Sequence, residues 1–208
     1  MLSRSVFRHL ALVVCACAGL ILPQMAKADD IADGRKLVQS VVKDAVDSFA
    51  GKTVEPAQRA ALLRGFIERY GDVTMSSKDI LGHYWTKMTP EQQVDFQVVV
   101  VDYAVGSWSK QLASFPADQR IDFTESETLS NGRTLLHSLA SHTGDIAPVD
   151  WTVAHAADGR LVIADVSLEG VSMIQTMRGD FLGILRANGG DASVLLTALR
   201  QKIASYQQ

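Results

Sequence analysis

The chain has 208 residues, 47% of them hydrophobic and 21% charged, with five Pro and fifteen Gly, which excludes a disordered or fibrous protein. A net charge of −3 removes the basic stripe expected of a nucleic-acid binder, and five His and two Cys leave little for a structural metal site. What remains is a globular protein.

Arg4 and Arg8 precede an uncharged apolar stretch, Leu10 to Leu22, followed by Pro23 and the triplet Ala26-Lys27-Ala28. A basic start, a short apolar core and a small-x-small triplet predict a secretory signal peptide over residues 1–28. The stretch is shorter than the ~20 apolar residues that span a bilayer. Both cysteines, Cys15 and Cys17, lie inside it, so Asp29 to Gln208 contains none. Residues 29–208 are expected to fold as a single domain without disulfides, relying on their core. Arg4, Arg8 and Lys27 leave with the leader and no acid does, which takes the net charge from −3 to −6. That balance disfavours simple electrostatic attachment to anionic lipid.

Leu37, Val38, Val41, Val42, Ala45, Val46 and Phe49 form the stripe of an amphipathic helix that Gly51 ends. A second helix fits Val54 to Tyr70, with Pro56 in its first turn and Gly71 beyond its last. Ser77 to Trp85 reads as a short helix. Thr89-Pro90-Glu91-Gln92 has the pattern of a helix start, with Thr as cap and Gln where a capping box needs it. The segment that follows, to Leu112, contains four consecutive valines, Val98 to Val101. Valine runs favour strands, but the start signal and the length predict helix.

After Pro116 the pattern changes. Strands are predicted over Ile121–Leu129, Arg133–Ser141, Val149–Ala156 and Leu161–Leu168, with hairpin signals at Asn131-Gly132 and Asp158-Gly159. Helix returns from Ser172 to Ala187, stops at Gly189-Gly190 and restarts after Asp191 as cap. The order predicts an α+β fold: a four-stranded antiparallel sheet packed with several helices.

Candidate chemistry is sparse. His137 and His142 are five apart, which suits neither a strand face nor a helix face for metal ligation. His155 and Asp165 could meet across a hairpin as an acid–base dyad of a small-molecule enzyme, if their side chains converge in one pocket. No phosphate loop, nucleophile elbow or zinc-protease helix is present. The prominent feature is instead an excess of apolar surface on the valine-rich helix, on the last strand and on the Met-rich stripe Met173, Ile174, Met177, Phe181, Ile184, Leu185.

Two segments resemble the MlaC (toluene-tolerance) family. Ile80-Leu81-Gly82-His83-Tyr84-Trp85, continuing through Thr89-Pro90-Glu91-Gln92 to Phe96, is similar to its first signature. Asp165-Val166-Ser167-Leu168-Glu169-Gly170-Val171-Ser172-Met173-Ile174 is similar to its second, longer one. Trp85 and a loop at Gly144–Pro148 depart from the family pattern. The resemblance implies a periplasmic phospholipid carrier and no enzyme or cofactor, with acyl chains in an apolar cavity between sheet and helices and the headgroup outside. It further implies a monomer that exchanges lipid between an outer-membrane lipoprotein–porin complex and an inner-membrane ABC transporter carrying a lipid-binding periplasmic subunit. A hopanoid-associated branch leaves the cargo open. On this reading the cavity residues are Leu81, Trp85, Phe96, Val100, Tyr103, Trp151, Val153, Val171, Met173, Ile174, Met177 and Phe181, while Asp165, Glu169, Gly170 and Ser172 shape the strand-to-helix junction. A protein that only docks onto a transporter, with these residues as ordinary core, is the third possibility.

Overall fold

The structure, a computed structural model, describes residues 22–110, 112, 118–142 and 144–206, with side chains from residue 29. Most of the predicted leader therefore lies outside the described residues. The backbone of residues 22–28 belongs to α1 (Leu22–Phe49), which starts well before the predicted stripe at Leu37. There follow α2 (Pro56–Tyr70), α3 (Val73–Leu81), a 3₁₀ turn (Gly82–Lys87) and α4 (Pro90–Ser109). The short helix read at Ser77–Trp85 is thus two pieces, broken at Gly82, and α4 ends three residues before Leu112.

The valine run is helical, and the start signal explains why. Gln92 N donates to Thr89 Oγ1 at 3.2 Å while Thr89 N donates to Gln92 Oε1 at 3.0 Å, a complete capping box with Pro90 in the first turn. Thr89→Ala is expected to lower stability by about 1 kcal/mol, measured as a shift of the urea midpoint at unchanged slope.

The strands are β1 (Arg120–Thr128), β2 (Thr134–His142), β3 (Asp145–His155), β4 (Leu161–Leu168) and β5 (Val171–Ser172), in that spatial order and all antiparallel. The sheet thus has five strands rather than the expected four. The fifth is two residues long, too short to carry a periodicity. Segment 145–148, read as loop, is the start of β3, where Ile146 pairs with Ser141 and Pro148 with Leu139. Asn131-Gly132 and Asp158-Gly159 do make hairpins, each with a three-residue loop closed by a left-handed Gly (φ 80° and 83°). The chain closes with α5 (Met173–Ala187) and α6 (Ala192–Tyr206), the latter capped by Asp191, whose Oδ1 accepts from Ser193 N at 2.8 Å.

Apolar burial divides into two clusters. One joins α1 to the sheet: Val38 is fully buried against Leu136, Val149, Trp151 and Val153. Gly34 permits that approach, since a Cβ there would lie 3.0 Å from Val153 Cγ2 and 3.2 Å from Leu136 Cδ1. The other cluster is helical, built from Ile80 and Leu81 of α3, Phe96 to Val105 of α4, Ile174 to Leu185 of α5 and Leu195 to Leu199 of α6. Phe181 centres it, edge-on to Phe96 at 6.1 Å and to Tyr103 at 5.1 Å.

Candidate functional site

Between these clusters lies a cavity of about 200 Å³. The sheet side is Trp151 of β3 with Ile163, Ala164, Asp165 and Val166 of β4. Four consecutive strand residues line one space because β4 carries a bulge. Thr152 pairs with Asp165 but Val153 pairs with Ile163, leaving Ala164 extra and re-aiming the side chains around it. The helical side is Val41 of α1, Phe66, Ile67 and Tyr70 of α2, Val73, Ser76 and Ile80 of α3, Val100, Val101, Ala104 and Trp108 of α4, and Met173, Ile174 and Met177 of α5.

The few polar groups of the lining are turned to local partners. Asp72 caps α3, its Oδ1 accepting from Met75 N at 2.9 Å. Asp165 Oδ1 accepts from Val166 N at 2.8 Å and Ile174 N at 3.1 Å, and its Oδ2 accepts from Ser172 Oγ. Tyr70 donates its hydroxyl to Asp44 Oδ2 at 2.6 Å; burial first, and then the Asp44 carboxylate, raise the phenol's pKa. The same Tyr70 bond, with Arg69, holds Asp44 below the ordinary carboxylate range. Trp151 Nε1 donates to the buried Ser138 Oγ at 3.1 Å, and Ser138 donates on to Val149 O at 2.6 Å. With its polar atoms so engaged, the wall offers a guest mainly hydrocarbon.

Of the twelve residues assigned to a cavity from sequence, Val100, Trp151, Met173, Ile174 and Met177 line this space. The structure does not bring the other seven to it. Leu81, Trp85, Phe96 and Phe181 are buried within the helical cluster. Tyr103 packs on that cluster, its phenol pushed up to about 12 by burial and by Tyr206. Val153 lies under α1, and Val171 is 61% exposed in the β4–β5 hairpin. Phe66, Ile67 and Tyr70 have the spacing of an apolar helix stripe, which does not mark them as lining. Ile163 and Ala164 depend on the bulge, for which the sequence holds no signal.

The His155/Asp165 dyad does not form. His155 pairs with Leu161 at the end of β3, whereas Asp165 pairs with Thr152 and spends its oxygens on α5 and on the Ser172 hydroxyl. His155 instead holds Asp30, with Nε2 to Oδ1 at 3.0 Å, and Gly159 O, with Nδ1 at 3.2 Å. The Asp30 contact, then the Gly159 carbonyl, raise the His155 pKa above its ordinary value. Because the folded pKa is the higher one, this tie stabilises fully below about pH 6.5 and is lost as pH rises through the raised value. The urea midpoint is expected to fall between about pH 6 and pH 8, more steeply than in Asp30→Asn. His137 pairs with Asp150 at 2.8 Å and His142 with Asp118 at 3.2 Å, on separate partners. Among the described residues no group of three or more His, Cys, Asp or Glu is arranged to hold a metal ion, and no helix is long and apolar enough to cross a membrane.

The family model described as MlaC protein matches residues 35–201. No curated protein matches the chain in sequence. Among solved structures, a phospholipid-binding protein from Ralstonia solanacearum, in complex with a phospholipid, superposes with a TM-score of 0.74. The match covers 83% of this chain and 98% of that one at 18% identity, which is a likeness of fold.

Proposed function

The chain belongs to the MlaC family, and from that premise we propose that it is a carrier that holds phospholipid acyl chains in the cavity between its two apolar clusters. The observation that carries this reading is the lining itself: hydrocarbon from seven elements, with its carboxylates and its tyrosine hydroxyl bonded to protein groups. The similar Ralstonia solanacearum protein is in complex with a phospholipid.

Physical chemistry supplies the need. Each methylene taken out of an apolar phase into water costs ~0.8 kcal/mol, so two long acyl chains leaving a bilayer unaided face a barrier on the order of 20 kcal/mol. A cavity that replaces bilayer with protein hydrocarbon lowers that barrier with no nucleophile, acid–base pair, metal or resident cofactor. Residues 1–28 act as a cleaved leader, and residues 29–208 as the lipid-binding domain that works in the periplasm. There it passes lipid, as a monomer, between the outer-membrane lipoprotein–porin complex and the inner-membrane ABC transporter. Mass spectrometry of the organic extract of gently purified protein, beside its intact native mass, tests this. Near-stoichiometric phospholipid is the expected result. Hopanoid in its place would assign the chain to the hopanoid-associated branch, and a well-folded protein without lipid would favour the docking accessory.

A further inference from the structure

A volume of about 200 Å³ lies below the ~300–1,000 Å³ of pockets that bury drug-sized ligands, and a diacyl lipid is larger still. If the cavity takes such a lipid, one of its walls must move. The walls differ in how they are held. Strand β3 is hydrogen-bonded on both sides, and β4 is paired with β3 along its length. Helices α3, α4 and α5 each place buried side chains in the helical cluster, and α1 is anchored on the sheet through Val38. Helix α2 has no buried residue at all, although it supplies Phe66, Ile67 and Tyr70 to the lining.

Polar clasps hold α2 at its margins. Asp44 of α1 accepts from Arg69 Nη1 at 2.7 Å and from Tyr70 OH at 2.6 Å. Arg64 pairs with Asp102 of α4, and Arg160 of the β3–β4 hairpin donates to Arg69 O at 2.8 Å and Gly71 O at 3.3 Å. The 50–55 connection that leads from α1 into α2 is mostly exposed. Helix α2 makes its apolar contacts, Ala60, Leu63 and Ile67 on the helical cluster and Phe66 on Phe49, through side chains that are only partly buried. An element held by such contacts and half-exposed ion pairs opens more readily than one held by buried apolar contacts.

We propose that α2 is the movable wall of the cavity and that Asp44, clasping Arg69 and Tyr70, is the latch that keeps it closed. Asp44 touches no lipid on this view; it is a positioning residue that sets how fast lipid enters and leaves. The proposal rests on the carrier reading. It makes lipid exchange depend on a contact between α1 and α2 that ordinary packing would not single out.

The test uses the full chain with Cys15→Ser and Cys17→Ser, which leaves no other cysteine. Arg64→Cys with Asp102→Cys, loaded with pyrene-labelled phosphatidylethanolamine and closed by a short bis-maleimide, clamps α2 to α4. Transfer to phosphatidylethanolamine–phosphatidylglycerol vesicles is expected to stop in the clamped protein and to continue in the unreacted one. In a separate variant, Asp44→Ala is expected to raise the transfer rate about fivefold at unchanged lipid per protein at saturation. A clamped protein that exchanges as fast as the unclamped one overturns the movable wall. A clamped block with no rate change in Asp44→Ala overturns the latch. If no version takes up labelled lipid, the carrier reading itself fails.

Discussion

An Ala104→Phe variant is expected to purify without lipid while melting within a few degrees of the lipid-free parent. Ala104 lies in the C-terminal half of α4, 5% exposed, and lines the cavity. An engineered cavity of roughly 150 Å³ accepts a benzene molecule, so a phenyl ring fits into about 200 Å³. Burying a Phe side chain contributes about 1.5–3 kcal/mol, and imperfect fit costs about 1–3 kcal/mol, so the two nearly cancel. What does not cancel is the loss of space, because the ring occupies the volume an acyl chain would enter. Val98→Phe is the control, on the same helix but 55% exposed on its outer side. Lipid should remain bound in Val98→Phe and be absent from Ala104→Phe by mass spectrometry. Wild-type lipid content in Ala104→Phe would move the binding site away from this cavity.

Legibility in the sequence followed the reach of each signal. Local signals were reliable: Thr89 with Gln92 identified a helix start against the strand preference of four valines, and Ser172 with Asp191 marked two more. Composition could not tell which valines would be buried. Within one helix Val99, Val100 and Val101 are buried while Val94 and Val98 are exposed, an outcome set by the elements packed on α4 rather than by α4 itself. The cavity was least legible because it is a seam between two clusters, and a residue near it has the same chemistry whether it faces the gap or the packed side. Phe181 and Met177, four residues apart on α5, illustrate this: the first centres the helical cluster and the second reaches the cavity. The alternation of Val149, Trp151 and Val153 puts the three on one strand face, but only the hydrogen bond to Ser138 explains how the indole can stand beside a hydrocarbon space.

Asp165→Ala is expected to destabilise the fold by about 3 kcal/mol without changing lipid stoichiometry in the fraction that remains folded. The carboxylate gathers three donors from three places: Val166 N on its own strand, Ser172 Oγ in β5, and Ile174 N in the first turn of α5. Ser172 in turn caps the helix, its Oγ accepting from Gln175 N at 2.9 Å. Between the two lies the turn Glu169-Gly170, with positive φ at both residues (50° and 80°), which reverses β4 into β5. The acid therefore fixes the direction in which α5 leaves the sheet, and with it the place of Met173, Ile174 and Met177 on the cavity. Hydrogen bonds to a charged group are each worth about 1.5–3 kcal/mol when well buried, and partial exposure lowers these three to about 1 kcal/mol each. Asp165→Asn keeps an acceptor oxygen for the two backbone donors and should recover more than half of the loss, as read by urea unfolding. Should Asp165→Ala lose its lipid while unfolding like the parent, the carboxylate would belong to the binding chemistry of the cavity and not to the geometry of the junction.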